Sequence, residues 1–156
     1  MIAPEIIASF SSFSSLEEDE IKAMAILAEE RRYATGEFIF REGGQASNMY
    51  LLLEGRVELM MNTNADGDQH AVVMTVGPDE VFGWSSLVEP YELTASARCA
   101  VPVRVVALAA SGMRALMTMK CSLGFRMMQK ACQTASARLR ATREQLLSTV
   151  RPLTEP

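Results

Sequence analysis

Apolar and polar positions change rhythm twice along this chain. Between residues 14 and 30, Ile21, Met24, Ala25 and Ala28 recur three and four apart, the period of a helix with one buried face. Ser15 with Glu18, or Ser14 with Glu17, has the spacing of a capping box at the start of that helix. Phe10 and Phe13, just ahead, can pack a helical or turn-like lead-in against the same core.

From Arg31 to Ala109 the apolar runs become short and are broken at Gly36, Gly43-Gly44, Gly55, Gly67, Gly77-Pro78 and Gly83. Phe38–Phe40 reads as a brief strand. Tyr50–Leu53 and Val57–Met61 flank Glu54-Gly55, a pattern that predicts a tight hairpin. The polar turn Asn62–Gly67 precedes Val72–Val76, and Leu93–Ala100 with Val103–Leu108 makes a last pair interrupted at Pro102. Many short strands with regular turn signals predict a mainly β barrel or sandwich with flanking helices.

Helical spacing returns after Ala109. Ser111 is predicted to cap a short helix carrying Met113, Leu116 and Met117, and a longer helix follows from about Ser122 to Thr149. Along it Phe125, Met128, Cys132, Ala135, Leu139, Thr142 and Leu146 alternate three and four apart, an a/d seam over three heptads. The seam either packs on its own barrel or pairs with a second copy. The small residues Ala135 and Thr142 favour a homodimer, because they let a partner helix approach closely. One domain over 1–156 is expected, with a helical lead-in (1–30), a β-roll (31–110) and C-terminal helices (111–150).

Composition narrows the class. With 156 residues, 49% hydrophobic and 22% charged, the chain suits one folded core. No apolar run approaches the roughly 18 residues of a membrane span, and the N-terminus lacks the pattern of a secretion signal. Cys99, Cys121 and Cys132 form no CxxC pair, which points to free thiols and a reducing, cytoplasmic setting. Residues 1–110 carry 7 basic and 17 acidic side chains, whereas residues 111–156 carry 8 and 2. A basic tail can meet an anionic partner or simply form a solvated face.

Enzyme chemistry finds little support. His70 is the only histidine, too few for a cupin-like metal centre, and three cysteines, none before residue 99, fall short of the four thiolates, mostly N-terminal, of an iron–sulfur oxygen sensor. No nucleophile elbow is present. No metal, no cofactor and no catalytic residue is expected.

Residues 33–59 carry a specific signal: Tyr33-x-x-Gly36-Glu37-x-Ile39, Arg41-Glu42-Gly43-Gly44, Met49-Tyr50-x-Leu52 and Glu54-Gly55-x-Val57-x-Leu59. This series resembles the opening strands of the cyclic-nucleotide-binding fold, a jelly-roll-like double-stranded β-helix. Val76-Gly77-Pro78-x-Glu80-Val81-Phe82-Gly83 looks like the stretch leading into that family's phosphate cassette, and the final helix looks like the dimerisation helix of catabolite-activator-type bacterial regulators. The resemblance implies a sensory or regulatory module. Regulators of that type continue into a winged helix-turn-helix; only seven residues follow Thr149 here, so sequence-specific DNA binding is not expected of this chain.

In the family's cassette a short helix N-terminus and an arginine hold the phosphate, and a glutamate after Phe-Gly takes the ribose hydroxyl. Laid on this chain, Phe82 and Gly83 are kept, but Trp84 stands at the glutamate position and Leu93 at the arginine position, followed by Thr94. Ser85 and Ser86 can still donate. Arg98 matches a different, framework arginine. Thr142-Arg143 fall where related regulators carry a threonine and a small hydroxyl residue, which makes the long helix a candidate source of a cation. Losing two charge-assisted contacts removes about 3–6 kcal/mol, or two to four decades of affinity. Three readings remain open: a small ligand other than cyclic AMP, with Trp84 stacking on a ring; a ligand-free dimerisation or docking module; and a cyclic nucleotide in an altered pose.

Overall fold

The computed structural model describes residues 1–153. The chain opens with helix α1 (Pro4–Ala8), a 3-10 turn (Ser11–Phe13) and helix α2 (Glu18–Ile26). Eight strands follow: β1 (Ala28–Tyr33), β2 (Phe38–Phe40), β3 (Asn48–Glu54), β4 (Val57–Asn62), β5 (His70–Val76), β6 (Val81–Phe82), β7 (Ser96–Cys99) and β8 (Val103–Ala109). A second 3-10 turn (Trp84–Leu87) lies between β6 and β7. Helices α3 (Ala110–Met119) and α4 (Cys121–Thr149) complete the chain.

The strands form two antiparallel four-stranded sheets, ordered β1-β8-β3-β6 and β2-β7-β4-β5. Alternation decides what each face buries. On β3, Tyr50 and Leu52 point between the sheets, where Val57, Leu59, Phe82, Val105 and Ala107 complete the roll interior. Met49 and Leu51 point the other way, into a second core with Ile7, Phe10, Phe13, Met24, Met113, Leu123 and Met127. Strands β3 and β8 are covered on both faces, which is why they read as unbroken apolar runs. Strand β5 lies at a sheet edge and is exposed along most of its length.

Several local expectations need correction. Strands β3 and β4 do not pair: β3 bonds β8 and β6, whereas β4 bonds β5 and β7. Glu54-Gly55 is therefore a corner between sheets. Gly55 has φ +101°, and a Cβ there would sit 2.5 Å from the Pro102 carbonyl oxygen. That contact belongs to the second corner, where the other expected pair, Leu93–Ala100 with Val103–Leu108, also divides between sheets. A glycine between two apolar runs looks the same in sequence whether the chain folds back or crosses over.

Helix α2 starts later than its serines suggested. The first 3-10 turn consumes Ser14, whose hydroxyl donates to the Ser11 carbonyl, and Leu16 N–H still bonds Phe13. The capping pair is Glu17 with Glu20, the Glu17 N–H donating to Glu20 Oε1 at 3.1 Å. The lead-in ends early too, since β1 begins at Ala28. Ser111 is not a cap: β8 runs straight into α3 with Ala109 at the N-cap position.

Helix α4 presents two faces. Leu123 and Met127 are buried, and Ala131, Thr134 and Arg138 continue that stripe toward the roll. Of the expected seam, Met128 turns onto the chain's own core. Phe125, Leu139 and Leu146 stay 69, 50 and 62% exposed, and Cys132, Ala135 and Thr142 are exposed beside them. Arg126 Nη1 meets Glu20 Oε1 at 2.9 Å and Lys120 pairs with Asp19, fixing the base of α4 to α2.

Candidate functional site

The segment from Gly83 to Ala95 forms a cassette against the open end of the roll. It turns at Gly83 (φ +81°), where a Cβ would meet the Asn48 carbonyl oxygen at 3.0 Å and the Tyr50 ring at 3.1 Å. In the following turn the Ser86 N–H and hydroxyl both donate to the Gly83 carbonyl, at 3.1 and 2.7 Å. Arg114 of α3 donates to the Ser86 carbonyl at 2.5 Å and lies 4.1 Å over the Tyr91 ring. The Gly43-Gly44 loop clamps the far end: Gly43 N–H bonds the Leu93 carbonyl and Leu93 N–H bonds the Gly44 carbonyl, both at 2.8 Å.

Five of the expected residues, Gly83, Trp84, Ser85, Leu93 and Thr94, line one cleft together with Phe40, Leu59, Ala95 and Arg138. The others lie elsewhere. Phe82 is buried in the roll and stacks on Tyr50 with ring centroids 5.2 Å apart. Ser86 is buried, its hydroxyl spent on the turn. Thr142 and Arg143 are exposed on α4, about one turn beyond the residue that reaches the cleft. Trp84 is 8% exposed and belongs to the helix-layer core, its indole N–H donating to the Val81 carbonyl at 3.1 Å. Its polar edge is already used.

Arg138, about one turn before the expected Thr142-Arg143, is the α4 cation that lines the cleft. Its Nε is buried with no hydrogen-bond partner among the described residues. Burial pulls its guanidinium below the ordinary arginine range, an effect partly offset by the Glu80 carboxylate. The signal was present in the sequence: Leu123, Met127, Ala131, Thr134 and Arg138 share helical spacing, but a stripe that ends in arginine reads as a solvated face. Free room in the cradle is about 30 Å³, enough for a water or two.

The remaining chemistry is framework. Arg98 lies across from Glu58, Nη2 to Oε2 3.9 Å, with its own Nε buried and unpaired. Cys99 is buried, whereas Cys121 and Cys132 are exposed. His70 is an exposed residue at the start of β5. No group of three His, Cys, Asp or Glu suited to a metal exists among the described residues, and no described helix is long and apolar enough to cross a membrane. The cleft thus combines one half-buried cation, the hydroxyls of Ser85 and Thr94, and apolar walls, a set suited to holding a small anion.

Comparison with known proteins gives a consistent picture. Residues 30–120 match the family described as "Cyclic nucleotide-binding domain". The chain is 26% identical over 110 residues to a CRP-like cAMP-activated global transcriptional regulator of Mycobacterium tuberculosis, covering 70% of this chain and 48% of that protein. It is 30% identical over 96 residues to the cyclic AMP receptor protein of Thermus thermophilus, covering 62% of this chain and 44% of the receptor. The chain therefore spans less than half of either relative. Among solved structures, a Geobacter metallireducens protein named for cyclic nucleotide binding superposes with a TM-score of 0.79 at 37% identity, covering 89% of this chain and 99% of that one. The sensor domain of the regulator DNR from Pseudomonas aeruginosa shares the fold, with a TM-score of 0.68 at 16% identity over 97% of this chain and 95% of that one.

Proposed function

This chain belongs to the cyclic nucleotide-binding domain family, and we propose that it is a non-enzymatic regulatory module that holds a small anion between its cassette and the helix-borne Arg138. The observation that carries the reading is the guanidinium itself, half-buried at the cradle with a buried, unpaired Nε. Burying a charge without a partner is costly, and an anion at the cradle offsets that cost. One charge-assisted contact returns about 1.5–3 kcal/mol of the roughly 3–6 kcal/mol lost with the family's arginine and glutamate.

The ligand class is an anion that does not need a strand-borne arginine: a cyclic nucleotide in an altered pose, or another small anionic molecule. Placing the cation on α4 ties occupancy to the position of that helix. The exposed seam of α4 supports pairing with a second copy as the route by which such a signal is read. The tight cradle favours a second reading, a ligand-free docking and dimerisation module.

Thermal-shift titration separates the two. Cyclic AMP or cyclic GMP should raise the melting temperature at high micromolar to millimolar concentration, and ligand at a hundredfold its Kd adds about 2.7 kcal/mol. Arg138→Ala should abolish the shift, and Arg138→Lys should retain part of it. A shift that survives Arg138→Ala contradicts the anion reading. No shift with any small anion leaves the docking module in its place.

A further inference from the structure

A second cavity adjoins the cradle. It is a cleft of about 390 Å³ between the first 3-10 turn, the β5–β6 corner and α4, and Trp84 and Arg138 are common to both spaces. We propose that this cleft, at Ser12, Asp79, Glu80, Trp84, Thr134 and Arg138, holds the body of the ligand and admits a singly charged anion in preference to a doubly charged one. The inference rests on the anion reading of Arg138 and adds where the rest of the molecule lies and what charge it carries.

Size comes first. The cradle's 30 Å³ takes a water or two, whereas 390 Å³ is within the range of small-molecule sites. An anion paired with Arg138 that carries any organic body must extend into the larger space. Met74, Val81, Ala137 and Trp84 supply its apolar lining, and Ser12 and Thr134 add hydroxyls suited to polar substituents.

Charge comes second. The cleft holds one guanidinium against two carboxylates. Asp79 is fixed by Ser11, whose N–H and hydroxyl donate to it at 2.9 and 2.6 Å and hold its carboxyl below the ordinary aspartate range. Glu80 Oε1 accepts from Gly77 N–H at 3.3 Å. A monoanion pairs with Arg138 and tolerates the two carboxylates at a distance. A second negative charge gains no second cation and meets both, a penalty of about tenfold in affinity at the dielectric of a partly open cleft.

Trp84, the chain's single tryptophan, borders both spaces, so its emission reports on either. The probes are cyclic AMP, a monoanion, and 5′-AMP, a dianion with the same body. Thr134→Leu, and separately Ser12→Leu, narrows the cleft without touching the cradle. Each should weaken cyclic AMP by about tenfold or more while the melting temperature without ligand stays near that of the wild type. Glu80→Gln, which keeps an acceptor for Gly77, should strengthen 5′-AMP about threefold, its share of that penalty, and cyclic AMP far less. If Arg138→Ala removes binding but none of these three variants changes it, the body lies elsewhere: the inference falls and the anion reading stands. If Arg138→Ala also has no effect, or neither probe alters Trp84 emission up to about 10 mM, both fall.

Discussion

The resemblance lays Trp84 and Leu93 on the family's glutamate and arginine positions, and in the structure both side chains are buried. Trp84 joins the helix-layer core and Leu93 is pinned on both backbone groups by Gly43 and Gly44. That both border one cleft with Gly83, Ser85 and Thr94 was legible from the motif. The place of Arg138 was harder to read: its spacing continues the stripe of Leu123 and Met127, but its surroundings are made by α4 lying across the roll. Cys99 shows a similar dependence on depth. Burial pushes its thiol from an ordinary 9.0 to about 11. The folded state holds this proton more tightly than the unfolded chain. The resulting stability is complete below about pH 9 and is lost as pH rises toward 11. Iodoacetamide at pH 8 should therefore modify Cys121 in the native protein and reach Cys99 only on unfolding, as mass spectrometry would show. Labelling of Cys99 at the rate of Cys121 would contradict its burial.

At the scale of elements, periodicity found most pieces and mispaired several. Strands β2 and β5 and helix α4 lie where their patterns placed them, to within one or two residues. The pairing across Gly55 and across Pro102 was misread because both turns are corners, and a corner's partner strands are distant in sequence. The base of α4 was also hidden. Glu20, 3% exposed, accepts from Glu17 N–H and from Arg126, while its Oε2 is buried without a partner. Removing Arg126 leaves that carboxylate buried and unpaired. Arg126→Ala should cost about 2–3 kcal/mol, measured by urea unfolding. A loss under about 0.5 kcal/mol would mean that the pair is screened and that the apolar contacts of Leu123 and Met127 hold the helix alone.

For the whole molecule, the acidic head and basic tail resolve into an acidic roll and a helix whose cations partly turn inward, toward Glu20, Asp19 and the cradle. The outward seam of Phe125, Cys132, Leu139 and Leu146 is apolar and unpartnered within one chain. Pairing of two copies along it should appear as a dimer in sedimentation velocity at micromolar concentration. Leu139→Glu with Leu146→Glu should give a monomer that melts within a few degrees of the wild type. A wild-type monomer at about 100 µM would remove the seam.

The central claim is that a cation carried by α4 completes the anion site, and the Arg138 Nε–H resonance observes that group directly. Its signal in a proton–nitrogen spectrum, assigned by its loss in Arg138→Lys, should shift and exchange more slowly with water as cyclic AMP is added, ahead of any other arginine. A spectrum in which that signal stays fixed while ligand saturates the protein would contradict it.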